Sequence, residues 1–381
     1  MNTMIHMHQL PSLKYLLLLI MTQTLFASPS MSAPDIEISK TKSLTMSHSL
    51  SWVMQNAKEH TMTWDAELDE INWGTPADEM PTIKNWDFRL TDKDWFGLVE
   101  QHGAAPEEEA VFDLWVPGDV QVVKGVIAIS SHGSGKPLYE DEALRAIARE
   151  LDLALFRFVG NPVQRGFWPR SLLSDLFAEF GQEADHPELI NAPLFLYGHS
   201  NGTGFSSLFT AGASDRVWAW MSMRPGFTYQ VYQPEAAKVP GLVIFGEDDD
   251  FLARPTVKEN LSVVPLMRRQ HDAVWNMVVE PETGHAPTDK TWPLVYSFLK
   301  HSFKARVPEN ADPRKGPVSL IPLDTAACYR GQNWDSANGG YQTLEIAPVD
   351  SFTGDTSSAS WLLNADYAKD WQAFQRDGAL N

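Results

Sequence analysis

The chain has 381 residues, enough for one large domain with additions or for two domains. With 43% hydrophobic and 21% charged residues its composition is globular, which excludes a disordered or fibrous protein. A net charge of −19 argues against nucleic acid and anionic lipid surfaces as partners, and suits a neutral substrate.

The N-terminus reads as an export signal. No acidic residue precedes Asp35, Lys14 supplies positive charge, and an apolar segment runs from Tyr15 to Met21 and on to Leu25, Phe26 and Ala27. Small residues then cluster at Ala27, Ser28, Ser30, Ser32 and Ala33, as a signal-peptidase site requires. The alternative is an N-terminal anchor, but the apolar run is short for a bilayer. The expectation is a signal peptide over residues 1–33, cut between Ala27 and Ala33, leaving a secreted or periplasmic protein with no stable membrane insertion. Residues 34–95 form a polar N-terminal extension with scattered Trp52, Trp64, Trp73 and Trp86, suited to edge strands and a wrapping arm.

From residue 96 to 305 strands and helices alternate. Val126–Ile129 is a continuous apolar run, as for a strand buried on both faces. Leu144, Ile147, Ala148 and Leu151 follow at helical spacing. Leu153–Phe158 is the next strand, and Leu172, Leu173, Leu176, Phe177 and Phe180 mark an amphipathic helix. Further strands are expected at Pro193–Tyr197, Val217–Met223, Leu242–Phe245 and Ala273–Val279, with a closing helix carrying Trp292, Val295, Tyr296 and Leu299. This alternation implies an α/β domain with a mainly parallel central sheet and helices on both faces.

The strand at Pro193 runs directly into Gly198-His199-Ser200-Asn201-Gly202, followed by small residues at helical spacing. Alone the pentapeptide is weak evidence, since a Gly-rich loop with a surface serine reads the same way. In this context it is the sequence form of a nucleophile elbow, a serine on a sharp strand-to-helix turn. Side chains at Gly198 or Gly202 would clash across so tight a turn. The following helix aims free N–H groups and a positive dipole end at the site. His199 is expected to pack within the elbow.

A serine hydroxyl needs a base to take its proton, and the base needs a carboxylate to fix its tautomer. Downstream, Gly241–Gly246 runs into Glu247-Asp248-Asp249-Asp250, and Thr283-Gly284-His285-Ala286-Pro287 follows the last strand. His285 is the expected base. Asp249, three residues after Gly246, is the first choice of acid, with Glu247, Asp248 and Asp250 as rivals because a carboxylate run can be a solvated turn. An oxyanion needs two backbone N–H donors. Asn201 and, from Ser130-Ser131-His132-Gly133-Ser134-Gly135, Ser134 are the candidates.

Only about residues 224–240 separate the strand after the elbow helix from the next, too few for a large lid, so a small loop-built cap is expected. Its best candidate is Gly160–Pro169, whose Phe167 and Trp168 would bind the substrate at the C-terminal end of a strand; packing of the loop itself is the competing use. Beyond 305, residues 306–381 read as a C-terminal extension packed on the catalytic domain, with a Pro/Asp/Lys-rich loop at 308–317 and a final helix carrying Trp361, Tyr367, Trp371 and Phe374 on its apolar side. Cys328 is the only cysteine, so no intrachain disulfide forms, and its surroundings suit a small apolar filler. No metal signature is present, and no cofactor is expected.

Together the elbow, the His-Gly-Ser-Gly loop, the Gly-Glu-Asp-Asp turn and the Gly-His-Ala-Pro loop resemble the α/β-hydrolase superfamily over about residues 96 to 305. Within it the chain looks most like secreted serine esterases of the dienelactone-hydrolase-like, feruloyl-esterase-like and polyester-depolymerase-like branches. It departs from the first in using serine where those enzymes commonly use cysteine. The resemblance implies a serine hydrolase that cleaves small or polymeric carboxylic esters through an acyl-enzyme. A peptidase or amidase on the same fold, or a non-catalytic binding protein, is the alternative. Dehalogenases and epoxide hydrolases need an aspartate where Ser200 stands.

Overall fold

Eight strands build the main sheet: β1 (Ile38–Thr45), β2 (Glu109–Val116), β3 (Gly125–Ser131), β4 (Leu153–Val159), β5 (Leu194–His199), β6 (Val217–Met223), β7 (Gly241–Gly246) and β8 (Trp275–Glu280). Their order is β1-β2-β4-β3-β5-β6-β7-β8, with β3 to β8 parallel and β1 and β2 running antiparallel at one edge. This computed structural model describes residues 38–45, 109–159, 170–225, 234–250, 261 and 263–380. The expected signal segment, most of the N-terminal extension, and the cap loop with Phe167 and Trp168 lie outside them.

Helices α1 (Lys136–Tyr139), α2 (Glu142–Glu150), α3 (Arg170–Ala184), α4 (Thr203–Gly212), α5 (Pro234–Ala237), α6 (Val263–His271), α7 (Thr291–Arg306) and α8 (Ala365–Asp377) surround the sheet. Two apolar layers result, because successive strand side chains point to opposite faces. Val126, Ala128, Phe156, Leu196, Val243 and Met277 pack against Leu176 and Phe177 of α3, Phe205 and Phe209 of α4, and Leu266 of α6. Ile127, Ile129, Phe195, Met221 and Ile244 face the other way, onto Ile147 of α2, Phe298 of α7 and Trp371 of α8. Burial on both faces is why these strands read as unbroken apolar runs rather than alternating ones. Periodicity alone does not single out β2 for the same reason: Phe112, Leu114 and Val116 are buried, but so are Asp113 and Trp115.

Local chemistry sets the helix ends. Asp141 caps α2 by accepting from the Leu144 N–H at 2.7 Å. Asn364 caps α8 through the N–H groups of Asp366 and Tyr367, and Gly378 ends it in a left-handed conformation. That cap corrects one expectation. Trp361 lies outside the helix, in the short strand β11 (Ser360–Leu362), which with β9 (Tyr329–Gly331) and β10 (Ile346–Pro348) makes a three-stranded antiparallel sheet of order β10-β9-β11. Its ring lies under the Arg268 guanidinium, 4.5 Å away, while Tyr367, Trp371 and Phe374 do form the apolar face of α8.

The outer edge of β8 would expose unpaired backbone, and residues from the C-terminal region satisfy it. The Met277 N–H donates to Ser360 Oγ at 3.0 Å, and Trp371 Nε1 donates to the Met277 carbonyl at 3.0 Å. Tyr367 donates its hydroxyl to Asn276 Oδ1 at 2.8 Å. Cys328 is buried among apolar groups, and burial pushes its thiol up to about 11.

Candidate active site

Ser134, Ser200, Asn201, Asp249 and His285 all sit just beyond the C-terminal edge of the parallel strands, where open α/β sheets place ligands. Ser200 follows β5, Asp249 comes three residues after β7, and His285 lies in the loop after β8. The register aligns these ends. His199 pairs with Ser131 of β3 and Met223 of β6, while Gly246 pairs with Glu280.

The turn at Ser200 is as tight as the Gly-x-Ser-x-Gly spacing demands. Ser200 itself adopts φ 53°, a left-handed conformation that costs a non-glycine residue energy and is held by its surroundings. A Cβ on Gly198 would fall 2.5 Å from the Gly202 carbonyl oxygen, and one on Gly202 would run into the Ser130 carbonyl. Ser200 is buried, and its hydroxyl lies 2.8 Å from His285 Nε2. On the other side of the ring, His285 Nδ1 lies 2.8 Å from Asp249 Oδ2. The Asp249 side chain is 3% exposed and that of His285 26%, so the carboxylate is shielded while the imidazole reaches the surface.

The rivals of Asp249 are placed elsewhere. Asp248 and Asp250 are exposed. Glu247 Oε2 accepts from the Glu282 N–H at 3.2 Å and Oε1 from the Gly340 N–H at 3.0 Å, so it ties the turn to the histidine loop and to the C-terminal region. The backbone joins the two loops as well: the Asp248 N–H donates to the Thr283 carbonyl at 2.9 Å.

Beside Ser200 lies the loop after β3. The His132 N–H is already used, donating to the His199 carbonyl at 3.1 Å. The Ser134 N–H has no acceptor among the described residues, and the N–H of Asn201 belongs to the first turn of a helix, where intrahelical acceptors are lacking. The Asn201 side-chain amide lies 3.2 Å from His132 Nδ1. The loop is anchored from below. Arg157, at the end of β4, donates through Nη1 to the Ser134 carbonyl at 2.6 Å, and its Nε donates to Asp113 Oδ2 at 2.7 Å.

Three polar residues that brace the loops of the candidate site are missed by sequence reasoning. Arg157 is one; a lone arginine inside the apolar run Leu155-Phe156-Arg157-Phe158 requires a buried carboxylate, and that signal could have found it. His199 is more than packing. Its Nε2 lies 3.1 Å from the His285 carbonyl and its Nδ1 3.1 Å from Ser131 Oγ. Burial pulls its pKa down to about 4, so at neutral pH the ring is uncharged, donates Nε2–H to the carbonyl and accepts from Ser131. Arg224, immediately after β6, is wholly buried against Glu280. No motif announces it.

Among the described residues no group of three or more His, Cys, Asp or Glu side chains is arranged to hold a metal ion. A cavity of about 500 Å³ opens between α6, β8 and the C-terminal loops, lined by Leu261, Met277, Trp334 and Phe352 among others. None of Ser200, Asp249 or His285 lines it, so the chemistry, not the cavity, locates the site.

A mainly parallel sheet of this order, with a tight Gly-x-Ser-x-Gly turn after β5 and with Asp249 and His285 in the loops after β7 and β8, is the α/β-hydrolase fold. No protein-family model matches the chain, and neither does any curated protein. Solved structures do. Over 51% of its length the chain is similar to 88% of an S-formylglutathione hydrolase from Agrobacterium tumefaciens, at 15% identity and a TM-score of 0.36. It is likewise similar to a ferulic acid esterase, with 12% identity, 51% of this chain, 92% of that one and a TM-score of 0.36. A cold-adapted esterase from an Arctic intertidal metagenomic library aligns at 14% identity over 51% of this chain and 88% of its own, with a TM-score of 0.34.

Proposed function

We propose that this protein is a serine hydrolase that cleaves carboxylic esters through an acyl-enzyme, with Ser200, His285 and Asp249 as its triad. The observation that carries the reading is the relay from Ser200 Oγ through both ring nitrogens of His285 to Asp249, 2.8 Å at each link, with the serine raised on a strained elbow. In the reaction His285 Nε2 takes the hydroxyl proton as Ser200 Oγ attacks the ester carbonyl. Asp249 keeps Nδ1 protonated and stabilises the imidazolium. The N–H groups of Asn201 and Ser134 would receive the oxyanion. Collapse expels the alcohol, protonated by His285, and leaves the acyl group on Ser200. Water, deprotonated by His285, then releases the acid and restores the serine.

The substrate class rests on charge and chemistry. A net charge of −19 disfavours anionic substrates, leaving neutral esters, small or polymeric. Export is part of the same reading, carried by the N-terminal sequence; no described helix is long and apolar enough to cross a membrane. The purified protein should hydrolyse aryl esters and outpace its action on the matching anilides. Ser200→Ala and His285→Ala should each lower kcat by at least about 10⁴-fold with the fold intact, and the double variant should be scarcely worse. Ser200→Ala turning over at the wild-type rate would sink the reading.

A further inference from the structure

We propose that Arg224, paired with Glu280, and His199 are positioning residues that hold the His285 loop in register for proton transfer. This inference rests on the hydrolysis proposed above. The loop from residue 281 to 290 carries the base and belongs to no helix or strand. Left to itself such a loop would sample many positions, and a displacement of about 1 Å between nucleophile and base costs on the order of 10²-fold in rate.

The polar groups beneath the loop tie it down on both sides of His285. Arg224 Nε donates to the Gly284 carbonyl at 2.9 Å, and Nη2 donates to Thr283 Oγ1 at 3.2 Å and to Glu280 Oε2 at 2.5 Å. The Glu280 carboxylate in turn accepts from Thr288 Oγ1 and Thr291 Oγ1, both at 2.6 Å, on the far side of the loop. His285 lies between these two anchor points. His199 adds a third contact, to the backbone carbonyl of His285 itself, from the residue next to the nucleophile. One side chain therefore spans the elbow and the base.

Two further features fit positioning better than general packing. Arg224 holds φ 48°, a left-handed conformation strained for arginine, and it does so where its guanidinium must turn toward the loop. Hydrophobic residues of similar size would fill the same buried space without the desolvation that a buried ion pair carries. The neutral state of His199 also matters, since a second charge 5.5 Å from the His285 ring would oppose imidazolium formation.

The test uses the full-length protein with an aryl acetate, a fluorophosphonate that labels Ser200, and the downfield proton resonance of the His285 Nδ1–H···Asp249 bond. Arg224→Lys keeps a cation beside Glu280 but loses the planar fork that reaches Gly284 and Thr283 together. It should lower kcat about 10- to 100-fold, change KM less than about twofold, and shift or broaden the resonance. His199→Phe should lower kcat about tenfold, and His199→Gln, which can still donate to the carbonyl, should recover most of that loss. A folded Arg224→Lys variant with wild-type kcat and resonance would overturn the clamp while leaving the hydrolase reading standing. If that variant does not fold, the two His199 variants decide: equal activities for Phe and Gln overturn the proposal. Wild-type protein that neither cleaves the ester nor takes the label overturns the hydrolase reading, and the clamp with it.

Discussion

At the scale of single residues, what separates Asp249 from its neighbours is burial and direction. All four members of Glu247-Asp248-Asp249-Asp250 could ionise, yet only Asp249 places an oxygen 2.8 Å from His285 Nδ1. A carboxylate there fixes the tautomer in which Nε2 is free to take a proton. Asp249→Asn should therefore lower kcat about 10³- to 10⁴-fold, whereas Asp248→Asn should cost less than about threefold. Steady-state kinetics on one aryl ester checks both, and equal losses would return the acid to the open question the sequence poses. Glu247 belongs to a different role, joining the acid turn to Glu282 and Gly340.

At the scale of elements, the site depends on how closely α4 and the elbow approach the end of β3. The Ser130 carbonyl occupies the space that a methyl group on Gly202 would need. Backbone, unlike a side chain, cannot rotate away, so Gly202→Ala must push α4 and β3 apart or open the turn. Overpacking of this kind costs about 1–3 kcal/mol. The expected outcome is a lower melting temperature together with a loss of ester turnover, read by calorimetry and kinetics on the same preparation. An alanine variant with unchanged melting and rate would show the turn to be looser than its geometry implies. The two loops that flank the elbow each rest on a buried arginine–carboxylate pair, Arg157 with Asp113 and Arg224 with Glu280.

At the scale of the whole molecule, α8 completes the core as well as the sheet edge. Trp371 is fully buried, packs in the same apolar layer as Phe298 and Ile244, and donates to the Met277 carbonyl. Replacing it by alanine removes a large apolar group and leaves a cavity, at a cost of about 3–5 kcal/mol. Domains have only about 5–15 kcal/mol in total, so Trp371→Ala should shift the urea midpoint sharply and bring much of the protein near unfolding at physiological temperature. A midpoint within error of the wild type would mean that α8 is a dispensable appendage.

The sequence by itself determined the alternation of strands and helices and the tight Gly-x-Ser-x-Gly turn, and it singled out the histidine that comes to lie beside Ser200. Those features are local: unbroken apolar runs record burial on both faces, and Gly198 and Gly202 record a turn that no other residue fits. The C-terminal helix was legible from Tyr367, Trp371 and Phe374, but not its starting point, because the Asn364 cap rather than periodicity sets it and leaves Trp361 in a strand. Only the tertiary structure decided which of four adjacent carboxylates meets His285. It alone revealed that His199, Arg157 and Arg224 reach backbone carbonyls of the flanking loops. The reason is physical. Hydrogen bonds between residues 23 to 86 positions apart depend on strand register and loop direction, which leave no periodic trace in the chain.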